Sequence, residues 1–116
     1  MIEQILYDYL GTQLSPVPVY TERQASSPKK FVLIDHTGGG KENHLRRATV
    51  ALQTYGASLL EAATLAETVV GLMTSDDGIL SVPAVASVSL AGGPYNYSRS
   101  DTKEYRYQAV FSITYY

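Results

Sequence analysis

The strongest constraint in this chain is its last thirteen residues. From Glu104 to Tyr116, the residues Tyr105, Tyr107, Ala109, Phe111, Ile113 and Tyr115 alternate without a break against Arg106, Gln108, Val110, Ser112, Thr114 and Tyr116. Successive side chains on a strand point to opposite faces, so a period of two predicts a β-strand with one core face. At about 3.3 Å per residue such a strand spans roughly 40 Å, whereas a compact domain of this length is roughly 35 Å across. Either the strand bends, or its end projects and offers backbone groups to another chain, the strand-addition route to assembly.

The remaining elements can be read from spacing. Ile2, Ile5, Leu6, Tyr9 and Leu10 recur at helical intervals and predict a short amphipathic helix that Gly11 ends. Pro16 and Pro18 break helical structure, and Val17, Val19 and Thr21 then alternate with Pro18, Tyr20 and Glu22 as an edge-type strand. Arg23 to Pro28 reads as a polar turn. Lys30 to Thr37 is a strand in which Phe31, Val32, Leu33 and Ile34 are consecutive and apolar, so both of its faces are covered. The stretch Thr37 to Asn43 reads as a flexible Gly-rich loop, and Leu45 to Tyr55 as a strand with Ala48, Val50 and Leu52 on its core face.

Ser58 with Glu61 three residues on is a capping-box pattern. It opens the principal helix, whose apolar face runs from Leu59 to Met73. Asp76-Asp77-Gly78 ends that helix. Pro83 to Leu90 predicts a fourth strand with Val82, Ala84, Ala86, Val88 and Leu90 on one face, broken by Gly92-Gly93-Pro94, and Tyr95 to Lys103 a long polar loop. The fold class expected is α+β. A single domain over residues 1–116 would hold an antiparallel sheet, mixed pairing being possible, of about five strands, packed on one face by a long central helix and a short N-terminal helix.

Composition narrows the function. Charged residues are 17% of the chain, against about 25% in an average protein, and the aromatics are ten Tyr, two Phe and no Trp. Tyrosine joins an apolar body to a polar tip, so a charge-poor, Tyr-rich chain points either to a surface buried by a partner or to Tyr filling the half-buried faces of strands. A net charge of -2 supplies no basic field for nucleic acid or anionic lipid, and Lys29-Lys30 and Arg46-Arg47 read as solvated strand ends. With no cysteine, disulfides, thiolate chemistry and Cys-based metal sites are excluded. Met1 to Leu10 lacks the basic start of a signal peptide, and no apolar run approaches a membrane span.

Catalytic chemistry finds no footing. Gly38-Gly39-Gly40-Lys41 resembles the end of a phosphate loop, but Asp35 and Glu42 stand where a Walker motif needs Gly and Ser or Thr. Asp35-His36 with His44 has no second motif to complete a metal or acid–base cluster. Ser58 lies outside a Gly-x-Ser-x-Gly elbow. Asn96-Tyr97-Ser98 matches a glycosylation sequon without a secretory route. No catalytic, cofactor-binding or metal residues are expected, and the protein is not expected to be an enzyme.

Val17 to Tyr20, the segment Pro28 to Gly39 (PKKFVLIDHTGG), the strand leading into the Ala-rich helix Ala57 to Met73, and Arg106 to Ile113 (RYQAVFSI) together resemble the small tail terminator or tail completion proteins of long-tailed bacteriophages. The resemblance covers nearly the whole chain, and its motifs are patterns of fold rather than of catalysis. It implies a structural virion protein at the head-proximal end of the tail. Copies would form a ring, typically a hexamer, that caps the tail tube, with the major tail tube protein on one side and the head connector on the other.

A ring needs two different patches per subunit. The edge strand Val17 to Glu22 or the terminal strand Tyr105 to Tyr116 would supply one, while the loops Gly38 to His44 and Gly92 to Lys103 would face the lumen or axial partners. The candidate interface residues are Val17, Val19, Tyr20, Gly38, Gly39, Gly40, Lys41, Tyr95, Tyr97, Arg99 and Tyr116. Tyr105 and Tyr107, on the face of Phe111 and Ile113, are expected in the core. Another head–tail adaptor or stopper is the nearest alternative, and a small ligand-binding domain whose Tyr line a pocket is the alternative of another class.

Overall fold

The structure, a computed structural model, describes residues 2–23, 28–42, 45–99 and 104–116. Its elements run α1 (Ile2–Gln13), β1 (Val19–Tyr20), β2 (Phe31–Glu42), β3 (Leu45–Gly56), α2 (Leu59–Thr74), a 3-10 turn (Ile79–Ser81), β4 (Val85–Asn96) and β5 (Tyr105–Tyr115). The strands make one five-stranded sheet in the order β1-β2-β3-β5-β4. β1 is parallel to β2 and every other pairing is antiparallel. Both helices pack into one apolar cluster on the same side of this sheet, which is the α+β architecture expected.

The alternating C-terminal run forms β5, but it lies inside the sheet. β3 pairs along it from Gly56↔Tyr105 to Arg46↔Tyr115, and β4 takes its other edge. The expectation that this strand projects, and that Tyr105 to Tyr116 offers an edge for assembly, is overturned because both edges are occupied. Its length fits because the molecule measures 46 × 25 × 24 Å rather than being spherical. Ala109, Phe111, Ile113 and Tyr115 are buried toward the helices, while Tyr105 and Tyr107 on the same face are only half-buried.

A second correction concerns the glycines. Gly38, Gly39 and Gly40 are not in a loop: they pair with Thr49, Ala48 and Arg47, and Lys41 pairs with Arg46, so β2 and β3 form one long hairpin. Glycine brings no side chain to pack, but its backbone donor and acceptor pair as well as any other. A register shift between His36 and Gly38 accommodates the extra residue, Thr37. Asn43 and His44, the end of the expected loop, lie outside the described residues.

Smaller departures have similar causes. α1 continues through Gly11 to Gln13, since glycine lowers helix propensity without forbidding the helical conformation, and the Leu14 N–H still bonds the Leu10 carbonyl at 2.8 Å. The edge strand shrinks to Val19–Tyr20. Pro18 has no N–H to give, yet its carbonyl accepts from the Val32 N–H at 3.0 Å. β4 runs through Gly92-Gly93-Pro94 to Asn96, where Gly93 adopts φ 87° and three register shifts absorb the irregularity. The shift between Val85 and Ser87 turns Val85 into the core and leaves Ala84 and Ala86 half-buried. Residues 24–27 of the expected polar turn and residues 100–103 of the expected Tyr95 to Lys103 loop lie outside the described residues.

The principal helix forms as its sequence prescribes. The Ser58 Oγ accepts from the Glu61 N–H at 3.1 Å, and the Glu61 carboxylate accepts from the Ala57 N–H at 3.1 Å, one residue earlier than in a standard capping box. Ala62, Leu65, Ala66, Val69 and Met73 are buried at intervals of three and four. Each fully buried Leu, Val or Met stabilises the fold by about 1.5–3 kcal/mol. The small residue at position 62 lets α2 approach β3 closely. The Thr54 hydroxyl, on a residue 1% exposed, donates to the Ala62 carbonyl at 3.1 Å. A Cβ added at Gly56 would lie 2.6 Å from the Ala62 nitrogen.

Gly56→Ala therefore forces the start of α2 off the sheet, and chemical denaturation is expected to show a loss of about 1–3 kcal/mol. Gly40→Ala, whose Cβ meets nothing within 4 Å, should change stability by less than about 0.5 kcal/mol.

Candidate interaction face

Because α1 and α2 share one side of the sheet, the other side carries no helix. Antiparallel register sorts it into rows that cross the strands. The first row is Phe31, Tyr55 and Arg106, continued by Tyr97 through the Tyr97 N–H to Arg106 carbonyl bond of 2.9 Å. The second is Leu33, Gln53, Gln108 and Tyr95. Beyond them lie Asp35, Ala51, Val110 and Gly92, then Gly38, Thr49, Ser112 and Ser89, then Gly40, Arg47, Thr114 and Ser87. One end of the face is thus aromatic and cationic. The remaining rows are mostly small and hydroxyl-bearing residues, interrupted by Asp35, Val110 and Arg47, and the Ser87 and Thr114 hydroxyls bond to each other across the strands.

The aromatic end is tightly knit. Phe31 and Tyr55, directly opposite in register, stack with ring centroids 4.2 Å apart and planes 9° from parallel, and Tyr20 meets Phe31 edge-on at 5.7 Å. The Arg23 guanidinium lies 4.9 Å from the Tyr55 centroid and 5.8 Å from that of Phe31. These contacts leave Phe31 and Tyr55 at 3% and 2% exposure on a face that no helix covers.

The buried tyrosine head is satisfied from three directions. The Tyr55 hydroxyl accepts from Arg23 Nη1 at 3.2 Å and from Arg106 Nη1 at 3.3 Å, and donates to Gln53 Oε1 at 2.8 Å. Gln53 Nε2 passes the chain on to Gln108 Oε1 at 3.1 Å. Arg23 also pairs with Glu104 through Nη2 and Oε2 at 2.6 Å. The Arg23 hydrogen bond holds the Glu104 carboxyl below its ordinary value of 4.5, opposed by burial and helped by the charges of Arg23, Arg106 and Arg99. Arg106 Nε is buried and makes no hydrogen bond.

The expected interface residues divide between the two ends of the sheet and its core. Tyr95 and Tyr97, 54% and 45% exposed with ring centroids 6.2 Å apart, lie on the helix-free face beside Gln108 and Arg106. Tyr20 lies at the same end, half-buried against Phe31. Arg99 is exposed and forms a backbone bridge to Glu104. Gly38, Gly39, Gly40, Lys41 and Tyr116 belong to the opposite end, where the Tyr116 N–H bonds the Ala84 carbonyl and its side chain is 70% exposed. Val19 is 6% exposed in the core, so it offers no surface, and Val17 packs half-buried against that core. The apolar faces of α1 and β2 claim them first.

The weaker motifs dissolve in the geometry. Asp35 and His36 are strand neighbours that point to opposite faces, and His36 Nδ1 faces Glu3 Oε1 at 3.2 Å. The Gly38 to Lys41 segment is extended in a ladder, so it forms no anion-cradling turn. Among the described residues no group of three or more His, Asp or Glu could hold a metal, and no helix is long and apolar enough to cross a membrane.

The residues that organise this face, Arg23, Phe31, Gln53, Tyr55, Glu104, Arg106 and Gln108, carry no local motif. Their signal is register: Phe31 meets Tyr55 only in the pairing that carries a one-residue irregularity between His36 and Gly38. Tyr55→Phe removes the one acceptor shared by the two guanidinium groups, and denaturation should show a cost of about 1–3 kcal/mol. Glu104→Gln separates the ionic part. Because the folded-state pKa of Glu104 is depressed, the stability that its charge contributes is present above the ordinary 4.5 and lost as pH falls through the lower folded value. With the Arg23 side chain half exposed, the difference between wild type and Glu104→Gln should stay below about 1 kcal/mol at pH 7 and vanish in acid titration.

No protein-family model matches the chain, and no curated protein matches it in sequence.

Proposed function

We propose that this protein is a structural component of a long-tailed phage virion, a tail terminator whose copies form a ring of six that caps the tail tube and receives the head connector. The observation that carries this reading is the helix-free sheet face. A five-stranded sheet leaves one side uncovered by its helices, carrying Thr, Ser, Ala and Gly around Asp35, Val110 and Arg47 and bounded at one end by Tyr95, Tyr97 and Arg106. Tyrosine and arginine are the residues enriched in surfaces that a second protein buries.

The resemblance of the sequence segments supplies the rest of the proposal: the ring, the tail tube protein on one side and the connector protein on the other, and a place at the head-proximal end of the virion tail. No catalytic step enters this role. Binding energy is gained by covering a preformed face, and the ordered strands beneath it cost little further entropy on assembly.

Native mass spectrometry and negative-stain imaging of the chain, alone and with the tail tube protein of the same phage, test the reading. A closed ring is expected. Monomer under both conditions across a wide concentration range would overturn it. Tyr95→Ala with Tyr97→Ala should weaken the association with the tube or connector protein by about tenfold or more while leaving the melting temperature nearly unchanged, since both rings stand on the surface.

A further inference from the structure

Charge is divided between the two sides of the sheet. Residues 22–30, which lead into β2, and residues 99–106, which open β5, hold six Lys or Arg against three Asp or Glu, whereas the rest of the chain holds three against eight. β2 and β5 both begin at the aromatic end of the helix-free face. There one carboxylate answers three guanidinium groups: Arg23 bonds Glu104, and Arg106 and Arg99 act on it by charge. Arg99 projects from backbone held on both sides, its N–H bonding the Glu104 carbonyl at 2.8 Å and its carbonyl accepting from the Glu104 N–H at 3.0 Å. Exposed Lys29 stands two residues before Phe31, and Tyr95 and Tyr97 supply exposed rings. Farther along the face, Asp35 and Arg47 add one charge of each sign.

The helix side has the opposite sign. α1, α2 and the turn after α2 carry Glu3, Asp8, Glu61, Glu67, Asp76 and Asp77, and neither residues 2–13 nor residues 59–77 contain a Lys or Arg. Of these carboxylates Asp8, Glu67, Asp76 and Asp77 are exposed. Among the described residues, Lys30 and Arg46 reach this side at the two ends of the sheet, Lys30 lining a groove with Ser58 and Glu61, and Arg46 in the row of Tyr115. The same layer shows bare apolar surface, since Leu60 is 78% exposed and Leu59 41% at the start of α2. Leu60 and Glu67 lie seven residues apart, about two helical turns, so an apolar side chain and a carboxylate share one outer stripe.

We infer that the outer face of α1 and α2 of one copy covers the Tyr- and Arg-bearing end of the helix-free sheet face of the next copy. Carboxylates of the helix layer meet the surplus guanidinium groups, and Leu60 meets the exposed tyrosine rings. A second copy is the occupant because this chain supplies both halves of the contact: surplus positive charge with exposed rings on one side, carboxylates with exposed Leu on the other. The two patches lie on opposite sides of one sheet, so a chain cannot join its own, and the contact is heterologous, of the kind that closes a ring. It rests on the ring reading above and names the surfaces that make it. Opposite potentials steer the encounter and fix the order of subunits, since helix layer against helix layer sets like charges together.

Charge reversal tests the inference. One variant carries Lys29→Glu and Arg99→Glu, the other Asp8→Lys and Glu67→Lys; all four side chains are exposed, and circular dichroism with thermal melting verifies the fold of each. Sedimentation velocity over a concentration series reads assembly. Each variant alone brings like charges together and should associate about tenfold or more weakly than wild type, whereas an equimolar mixture should recover wild-type assembly, because each reversed face then meets its complement on the other variant. If both variants assemble like wild type, or the mixture fails to recover what each has lost, the inference is overturned and the ring reading stands. A wild-type chain that stays monomeric alone overturns the inference, and one that stays monomeric also with the tail tube protein overturns the ring as well.

Discussion

The cross-strand packing of β3 is the contact on which the rest of this molecule depends. β3 is paired on both edges, by β2 and by β5. Its two faces are closed by different chemistry. Toward the helices, Ala48, Val50, Leu52 and Thr54 lie under a single apolar cluster. Away from them, Tyr55 is sealed by Phe31 and by two guanidinium groups that share its hydroxyl. A strand held this way fixes the register of its neighbours, because a slip of one residue would turn Phe31 and Tyr55 into the helix side and Leu52 out of it.

That register makes the surface. With both helices on one side, each residue of opposite parity is carried to the other, and the order of strands decides which of them become neighbours. Arg106 and Tyr97 stand in one row with Phe31 and Tyr55, although 75 positions separate Phe31 from Arg106 in the chain. Small and hydroxyl-bearing residues fill most of the remaining rows, around Asp35, Val110 and Arg47. The elongation of the molecule has the same origin: strands of eleven and twelve residues paired along their full length need the 46 Å axis.

Glycine placement shows how far local residue preference can mislead. Gly38 to Gly40 favour a loop by composition, and Gly92-Gly93-Pro94 favours a break, yet both segments sit in strands. In each, a long and strongly patterned neighbour supplies the pairing, β3 in one case and β5 in the other. Tertiary pairing overrides weak local preference when the partner strand is already fixed by the core. The outcome for the candidate interface follows. Tyr95, Tyr97, Arg99 and Tyr116 were legible as surface residues because their local context is polar or terminal, whereas Val17 and Val19 were drawn into the core by α1 and β2.

By itself the sequence determined the α+β class, the boundaries of α2 with its Ser58 cap, the faces of β5 and the sign of the overall charge. These depend on periodicity and on contacts within a few residues, which any chain displays in one dimension. Only the tertiary structure decided that β5 lies inside the sheet, that the glycine run extends a hairpin, and that Arg23, Phe31, Tyr55 and Arg106 converge on one face. Each of those outcomes rests on pairing between segments tens of residues apart, and its energy depends on which edges and faces remain uncovered once the core has formed.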